Sequence, residues 1–270
     1  MLRVGVIGYG NRISSVIRLA ERLEPECRIV AITDVRNDEI KKTIAERDDI
    51  RETPDEITFY TEPERMLEKE TLDGVFIGTR CSLHATMACK VAPTGLPLYL
   101  EKPVATTLED LKGLKAAFEG SSCEVVVSFP LRLSPLVQIA REVIESGRIG
   151  TVEQVQAVNN VPYGTGYFSN WYRDYNETGG LWLQKATHDF DYMSYLMGEP
   201  IVRVAAMGTY HHVFGGTKEA GLVCSKCSEQ DSCLESPANR RRNRTGHHSG
   251  NAGSVAGRTR AGRVALRGLR

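Results

Sequence analysis

The sequence predicts an α/β protein whose first half forms a doubly wound, mainly parallel sheet. Two observations support this. Short runs rich in branched apolar residues alternate, through about residue 128, with stretches whose apolar residues recur at helical spacing. The first of these runs, Leu2–Ile7, leads through a glycine-rich turn directly into the first helical stretch. Repeated βα units of this kind form parallel strands that are joined by right-handed crossovers.

The regular alternation ends at residues 128–135, where two prolines interrupt the pattern. Beyond this point, helical spacing over residues 137–144 is followed by a strand pattern over Thr151–Asn160, and Ile201–His211 has the pattern of one further strand. The sequence therefore predicts a domain boundary at residue 128 and a second domain of a different kind.

The composition is that of a globular protein, with 41% apolar and 25% charged residues in a chain of 270. No apolar run approaches the roughly 20 residues that span a bilayer. The first residues lead straight into a strand rather than into a secretion signal. The seven cysteines are odd in number and scattered, which suits free thiols in a reducing compartment. We therefore expect a cytoplasmic protein without a membrane partner.

The turn after the first strand indicates a cofactor site. Its glycines let the backbone approach a pyrophosphate closely, and the N-terminus of the following helix favours the negative charge of that group. The residues that we expect to contact a dinucleotide are Gly8, Gly10, Asn11 and Arg12. The third glycine position of the motif holds Ile13, so an ordinary βα turn is the alternative.

The second strand ends in an acidic residue, Asp34. It lies roughly 20 residues beyond the turn, where dinucleotide-binding domains carry the carboxylate that binds the adenosine ribose. This position favours NAD. Arg36, two residues further on, could instead meet the 2′-phosphate of NADP. The predicted cofactor is therefore NAD or NADP, with NAD favoured.

The fifth strand-like run ends abruptly in Glu101, Lys102 and Pro103. Proline cannot donate a ladder hydrogen bond and pushes the preceding residue into an extended conformation, so the strand stops with the lysine at its tip. Ligands of open parallel sheets bind at the carboxyl ends of the strands. An ammonium beside a carboxylate there can move a proton or hold a hydroxyl. For this segment alone, a surface lysine after an edge strand is the alternative.

Four features together resemble the Gfo/Idh/MocA oxidoreductases, named for glucose–fructose oxidoreductase and inositol 2-dehydrogenase: Gly8-Tyr9-Gly10, Asp34, Thr79 followed by His84, and Glu101-Lys102-Pro103. The resemblance covers roughly residues 2–235. It implies a Rossmann-type NAD(P)-binding domain over residues 1–128. It also implies, over residues 129–235, an α+β domain with an open, mostly antiparallel sheet that binds substrate and forms the interface of a homo-oligomer.

The resemblance implies roles for residues at the edge of the first sheet. Lys102 becomes the active-site lysine between the nicotinamide and the substrate hydroxyl, and Glu101, Thr79 and His84 lie near the cofactor. One departure is that an arginine and a cysteine follow Thr79, where the family usually has an asparagine before the histidine. For His84, a packing or helix-capping role is the alternative.

A second group of polar residues lies in the stretch from Gly179 to Asp191, which is predicted to be a helix whose apolar stripe runs from Leu183 to Met197. Gln184, His188 and Asp191 form a stripe beside an apolar stripe, so the helix has one face on a core and a neighbouring polar face. By the resemblance, His188 partners Lys102. Many sugar dehydrogenases of the family carry an aspartate where this chain has Gln184. A glutamine can orient a hydroxyl but cannot take its proton.

The expected substrate-binding residues are Gln184, Lys185 and Asp191 of this helix, together with Trp171 of an aromatic-rich loop. Lys185 is included because it supplies an extra polar group beside the helix face. The ring of Trp171 has two alternatives, stacking on a sugar or packing between the domains.

The cysteines near the end of the chain, Cys224, Cys227 and Cys233, resemble part of a metal knuckle but supply only three thiols. We expect a metal-free loop, with a zinc site as the weaker alternative. From residue 236 onward there are nine arginines and no acidic or aromatic residue. Such a composition cannot bury enough surface to fold. We therefore expect a disordered Arg/Gly-rich tail over residues 236–270.

This tail has two explanations. Arginine clusters bind phosphate, so a nucleic-acid tail is one of them. The expectation is instead that the chain is truncated or frameshifted at this end, which would leave the second sheet incomplete, and that nucleic acid is no partner.

The predicted function is that of an NAD(P)-dependent oxidoreductase acting on a small-molecule substrate. Hydride would pass between the nicotinamide and a carbinol carbon of a sugar, a cyclitol or a related polyol, while Lys102 and His188 manage the hydroxyl proton. Two alternatives stay open. One is an NAD-dependent glycosidase that uses transient oxidation, and the other is a non-catalytic nucleotide-binding or regulatory protein of the same fold.

Overall fold

The computed structural model describes residues 1–160, 167, 171–208, 222–233, 236, 237 and 239. Met1–Val202 form one compact unit and Arg203–Arg270 form a second. The sheet and the predicted site residues from Gly8 to Asp191 belong to the first unit. Within the described residues, no helix has the length and the apolarity needed to cross a bilayer.

The sheet of the first unit has six parallel strands in the order β3-β2-β1-β4-β5-β6. The order reverses between β1 and β4, so the chain winds in opposite directions on either side of this point. The predicted doubly wound parallel sheet is therefore confirmed. The strands are β1 (Leu2–Ile7), β2 (Cys27–Thr33), β3 (Thr58–Tyr60), β4 (Gly74–Ile77), β5 (Leu98–Leu100) and β6 (Val125–Val127).

Helices cover both faces of the sheet. One group of fully buried side chains, including Val6, Ile13 and Ile17, packs on one face, and another, including Ile7, Ile77 and Leu100, packs on the other. The strands are thus apolar on both sides, as buried parallel strands are. The helices between the strands are α1 (Asn11–Leu23), α2 (Asn37–Ala45), α3 (Pro63–Lys69), α4 (His84–Val91) and α5 (Leu108–Phe118).

The register of the sheet brings the strand ends to one edge. Ile7 pairs with Thr33 on one side and with Ile77 on the other, and Ile77 pairs in turn with Leu100. These four residues are the last of their strands, so the residues that follow them emerge side by side. The polar residues predicted after β1, β2, β4 and β5 therefore meet at the point where the strand order reverses, which is the ligand-binding position of open α/β sheets.

Helix α1 approaches the sheet closely because Gly78, the residue that follows β4, has no side chain at the point of contact. A Cβ atom at Gly78 would lie 2.3 Å from Cβ of Ile13, which is far inside van der Waals contact. Ile13 is fully buried and occupies the motif position that normally holds the third glycine. The close packing of helix and strand is thus kept. The residue that lacks a side chain lies at the end of β4 instead of on α1.

Four α-helices are described in the region after β6: α6 (Pro135–Glu145), α7 (Tyr175–Thr178), α8 (Leu181–Gln184) and α9 (Thr187–Met197).

The strand predicted over Thr151–Asn160 is not formed, since these residues carry no regular secondary structure. The same holds for residues 201–208 of the strand predicted over Ile201–His211, and the remaining three lie outside the described residues. An extended segment becomes a strand only when a neighbour completes its hydrogen bonds, and no described residue pairs with either segment. An oligomer interface formed by a second sheet therefore stays a prediction.

The helix predicted from the stretch that begins at Gly179, with its apolar stripe from Leu183 to Met197, is interrupted. α8 ends at Gln184, two turn residues follow, and α9 begins at Thr187. The expectation of one continuous helix is wrong, because the amide of His188 donates to the carbonyl of Lys185 instead of to that of Gln184. The interruption leaves the carbonyl of Gln184 without a helical donor.

The predicted tail begins beyond residue 235, and residues 240–270 lie outside the described residues. Asn239 is buried and donates to the carbonyl oxygens of Asp231, at 3.0 Å, and Cys233, at 2.7 Å. This residue therefore packs on the segment that precedes it.

A Gly78→Ala substitution tests the close contact between α1 and β4. The added methyl group would collide with Ile13, so we expect the free energy of unfolding to fall by about 1–3 kcal/mol. Removing the opposing side chain with its Cβ atom, in an Ile13→Gly/Gly78→Ala double variant, should recover part of the loss due to the collision. The measurement is urea denaturation followed by circular dichroism.

Gly113→Ala is the matched control. Gly113 lies inside α5, and a Cβ atom there would meet nothing within 4 Å. Because alanine favours a helix interior over glycine, this variant should gain roughly 0.5–1 kcal/mol. Equal effects of the two glycine substitutions would contradict the packing argument.

Candidate active site

The turn between β1 and α1 has the backbone of a phosphate-binding turn. Gly8 has a φ of +81°, and a Cβ atom there would lie 2.6 Å from Cγ2 of Thr79, so only glycine fits. Gly10 precedes α1 in an extended conformation, and no described side chain caps the first turn of the helix. The amides of this turn are therefore suited to the pyrophosphate of a dinucleotide.

The carboxylate of Asp34 is held at the end of β2. Its Oδ2 accepts a hydrogen bond from the amide of Tyr9 at 2.9 Å, and its Oδ1 accepts one from the amide of Arg36 at 2.9 Å. The guanidinium of Arg36 also reaches this carboxylate, with Nε 3.3 Å from Oδ1. The residue that favours NAD, Asp34, and the residue that could bind the phosphate of NADP, Arg36, thus form an ion pair with each other.

His84 holds two loops together at the same edge. It is only 2% exposed, and its Nδ1 and Nε2 lie 2.7 Å and 3.1 Å from the carbonyl oxygens of Pro103 and Thr79. Burial lowers the pKa of His84, although the two carbonyls act in the opposite direction. A neutral imidazole donates to only one of these carbonyls, but both ring nitrogens lie against the backbone, so the geometry corresponds to the packing alternative for His84.

Glu101 and Arg12, which come from different strand ends, form an ion pair. Nε of Arg12 lies 3.1 Å from Oε1 of Glu101, whose side chain is 8% exposed. The guanidinium also reaches Oγ of Ser128 at 3.5 Å, and this hydroxyl accepts a hydrogen bond from Tyr99 at 2.8 Å. The charge of Glu101 is thus already balanced by a residue of the α1 turn.

Lys102 lies half-buried beside Glu101 and points toward the region after β6. Its ammonium donates a hydrogen bond to the backbone carbonyl of Gln184, the one released by the interruption between α8 and α9. Burial is the main cause that lowers the pKa of Lys102, and the positive charges of Lys185 and Arg12 add to it, against the opposing effects of Cys81 and Glu101. The amine is therefore easier to deprotonate than an exposed lysine.

His188 is the second titratable group that faces Lys102. Burial, followed by the charges of Lys102 and Lys185, lowers the pKa of His188 to about 4. The ring also contacts Phe129 edge to face, with 5.9 Å between the ring centres. At neutral pH the imidazole is therefore uncharged.

Two buried polar atoms at this place, Oε1 of Gln184 and Nδ1 of His188, have no hydrogen-bond partner among the described residues. Gln184 is only 6% exposed. Buried polar atoms of folded proteins are paired in the great majority of cases, so unpaired ones call for an explanation. A polar ligand between Lys102 and α9 would supply both partners.

Asp191, predicted to bind substrate, is engaged by another residue. Nε of Arg132 lies 2.8 Å from Oδ2 and 3.0 Å from Oδ1 of this carboxylate, whose side chain is 7% exposed. Arg132 also lies over the ring of Tyr195, 5.5 Å from its centre. The pair ties the segment after β6 to α9 and leaves Asp191 charge-balanced.

Trp171 and the arginine after Thr79 are joined to α7. The guanidinium of Arg80 lies over the Trp171 ring at 5.5 Å and bonds Oε1 of Glu177 at 3.2 Å. The hydroxyl of Ser82 donates to the other oxygen of Glu177 at 2.7 Å, and Trp171 stacks on Tyr172 at 4.1 Å. These contacts of Trp171 are of the packing kind. Sequence reasoning missed Glu177, because nothing near it in the chain indicates its partners.

The three cysteines near the end of the chain belong to the second unit. Cys224 begins a short helical turn and Cys227 follows its last residue, and all three thiols are free. Among the described residues, no group of three or more His, Cys, Asp or Glu side chains is arranged to hold a metal ion. The expectation of a metal-free loop stays a prediction.

Two family models match the chain. The model of an oxidoreductase family with an NAD-binding Rossmann fold matches residues 2–129, so the fold and the glycine turn place the chain in that class. The model of the GFO/IDH/MocA C-terminal domain matches residues 137–228. The chain belongs to the GFO/IDH/MocA family, and the resemblance stated from the sequence is confirmed.

Individual relatives agree with this. The chain is 27% identical to the uncharacterized oxidoreductase YrbE of Bacillus subtilis, over 76% of this chain and 56% of YrbE. It is 24% identical to myo-inositol 2-dehydrogenase of Thermotoga maritima, over 77% of this chain and 58% of that protein. A crystal structure of the WlbA dehydrogenase of Bordetella pertussis, in complex with NADH and UDP-GlcNAcA, shares the fold with a TM-score of 0.58 at 23% identity, over 72% of this chain and 58% of that one. The chain thus spans somewhat more than half the length of these relatives.

The electrostatic setting of His188 can be tested by NMR titration of its ring. We expect the ring to titrate near a pKa of about 4, and a Lys185→Met substitution should raise this pKa because it removes a neighbouring positive charge. Lys112→Met, at an exposed position of α5, is the control and should leave the pKa of His188 unchanged. Titration near the ordinary value of 6.5 in all three proteins would contradict the described environment.

Proposed function

We propose that this chain is an NAD(P)-dependent oxidoreductase that transfers hydride between a nicotinamide and the CH–OH or ketone carbon of a sugar, a cyclitol or a related polyol. The observation that carries the proposal is the position of Lys102. It extends from the carboxyl end of β5, is bonded to the carbonyl of Gln184 and faces His188. Its ammonium group thus links the sheet edge proposed to bind the cofactor with the residues of α8 and α9 proposed to bind the substrate.

The residues around the first turn fit the cofactor. Gly8 and the uncapped start of α1 would hold the pyrophosphate, and Asp34 would accept hydrogen bonds from the ribose hydroxyls. Thr79, Glu101 and the bracing His84 would line the cofactor edge. Bound NAD(P) would supply the hydride acceptor or donor that the side chains of the chain cannot provide.

We propose NAD rather than NADP as the preferred form. A 2′-phosphate would lie against the carboxylate of Asp34, and like charges repel. The guanidinium that could compensate for this repulsion, that of Arg36, is already paired with Asp34. Its binding to a phosphate would require this ion pair to rearrange.

The proton of the substrate hydroxyl would be exchanged with Lys102. The lowered pKa of Lys102 makes the neutral amine accessible, and in the reverse direction the ammonium would polarise the ketone. His188 and Gln184 would orient the hydroxyls of the substrate through the two atoms that lack partners. Gln184 cannot act as a base, so the proton step rests on Lys102.

The proposal includes the division of the chain. Residues 1–128 would form the cofactor domain, residues 129–235 would carry the substrate-facing residues, and residues 236–270 would form the tail. The names of the relatives support the substrate class, since one of them is a myo-inositol 2-dehydrogenase.

The cofactor assignment is tested by fluorescence titration of the purified chain with NADH and NADPH. We expect NADH to bind more tightly. Asp34→Ala should weaken NADH binding by about tenfold or more and reduce the preference for NADH over NADPH, because it removes the ribose acceptor and frees Arg36.

Asp48→Ala, which changes an exposed aspartate after α2, is the control and should bind both nucleotides like the unmodified chain. If a folded sample binds neither nucleotide, the proposed function fails. Equal affinity for NADH and NADPH in the unmodified chain would overturn the choice of NAD.

The proton role is tested by Lys102→Met. We expect turnover of a polyol substrate, measured as NADH formation, to fall by about 10²–10⁴-fold, because the group that exchanges the hydroxyl proton is lost. NADH affinity should change by no more than about threefold.

Lys112→Met is the matched control and should keep full turnover. Unchanged turnover in Lys102→Met would overturn the assignment. Release of an aglycone from a glycoside without net NADH formation would identify the NAD-dependent glycosidase instead.

A further inference from the structure

The region that faces Lys102 contains a second ammonium group, that of Lys185. Lys185 is half-buried in the two-residue turn between α8 and α9, and it forms no ion pair with a described residue. Lys102 is bonded to the carbonyl of the residue just before it, Gln184. One short stretch of backbone therefore carries the side chain of Lys185 and accepts a hydrogen bond from that of Lys102.

The carboxylates of this region do not balance these two charges. Glu101 is paired with Arg12 at 3.1 Å, Glu177 with Arg80 at 3.2 Å, and Asp191 with Arg132 through both of its oxygens. This leaves a fourth carboxylate, Asp189.

Oδ1 of Asp189 accepts a hydrogen bond from the side-chain Nδ2 of Asn159 at 2.7 Å, and no described lysine or arginine forms an ion pair with Asp189. Lys102 and Lys185 each lower the pKa of His188 by more than Asp189 or Asp191 raises it. The excess charge lies beside the polar atoms that lack partners.

A ligand at this place would also have to suit Oε1 of Gln184. It is a buried acceptor without a donor among the described residues. A carbonyl oxygen accepts hydrogen bonds and donates none, so it would repel an anionic oxygen and attract a hydroxyl. The site thus calls for a ligand that presents a hydroxyl at Gln184 and a negative charge at Lys185.

We infer that the substrate is a polyhydroxy carboxylate, such as an aldonic or a uronic acid, whose carboxylate pairs with Lys185 while a hydroxyl donates to Oε1 of Gln184. This inference rests on the proposed function, because it names the substrate class of the same site. A monoanionic carboxylate matches one unpaired ammonium. A dianionic phosphate is typically bound by arginine forks, and the arginines of this region are engaged by carboxylates.

Matched pairs of ligands test the inference in the presence of saturating NADH. The probes are D-glucuronate and D-gluconate against D-glucose and myo-inositol, with D-glucose 6-phosphate as the phosphorylated comparison. Dissociation constants are measured by calorimetry and, where turnover is found, KM and kcat are measured separately. We expect the unmodified chain to bind at least one of the acids at least tenfold more tightly than its neutral counterpart.

The variants assign this preference to one side chain. Lys185→Met should weaken acid binding about tenfold, leave the affinity for neutral ligands within twofold and raise KM for the acid. Lys185→Arg, which keeps the charge, should retain most of the preference. Lys112→Met on the exposed face of α5 should change nothing.

Each other outcome is decisive. Equal affinity for acids and neutral ligands, tighter binding of the sugar phosphate, or an acid preference that survives in Lys185→Met would overturn the inference while the proposed function stands. Binding of NADH without binding of any probe would also overturn it. Failure of a folded chain to bind NADH would overturn the proposed function itself and this inference with it.

Discussion

The hydrogen bond from Lys102 to the carbonyl of Gln184 is the interaction on which the site depends. A half-buried ammonium has lost much of its hydration and needs an acceptor. The acceptor exists because α8 stops at Gln184 and the next helix starts three residues later, which leaves one carbonyl unused. Without this interruption the carbonyl would bond the amide of His188, and the lysine would face a helix surface with no acceptor at that position. A backbone irregularity therefore fixes the position of a side chain that comes from the other half of the chain.

The edge of the sheet supports this geometry through close packing. Gly8 lies against Thr79, and Gly78 lies against Ile13, at separations that exclude a side chain. Each contact joins β1 or α1 to the end of β4, at the reversal of the strand order. The glycine that a dinucleotide motif places on the helix is found here on the strand. Close packing requires that one of the two contacting residues lack a side chain, and it does not matter whether that residue lies on the helix or at the end of the strand.

The sequence predicted the first sheet because its signals are local. Each strand is a short apolar run, each helix has its own periodicity, and the ends of parallel strands share an edge. The same locality explains what was missed. Thr151–Asn160 has a strand pattern, but a strand also needs a neighbour, and no described residue provides one. The pairs of Asp191 with Arg132 and of Glu177 with Arg80 join residues 59 and 97 positions apart. Composition and spacing carry no information about such pairs, so the sequence predicts substrate binding by Asp191 and gives no sign of its ion pair with Arg132.

The charges around Lys102 separate the roles of the two titratable groups. His188 has a pKa of about 4, with two lysines among the causes, so its conversion to an imidazolium would add a third positive charge to a desolvated place. The same surroundings favour the neutral form of Lys102, whose charged form is the one that burial opposes. Loss of a proton by Lys102 therefore relieves the repulsion, and gain of a proton by His188 increases it. It follows that the proton moves on Lys102 in the proposed reaction, while His188 stays neutral and uses its unpaired Nδ1 to hold a hydroxyl in position.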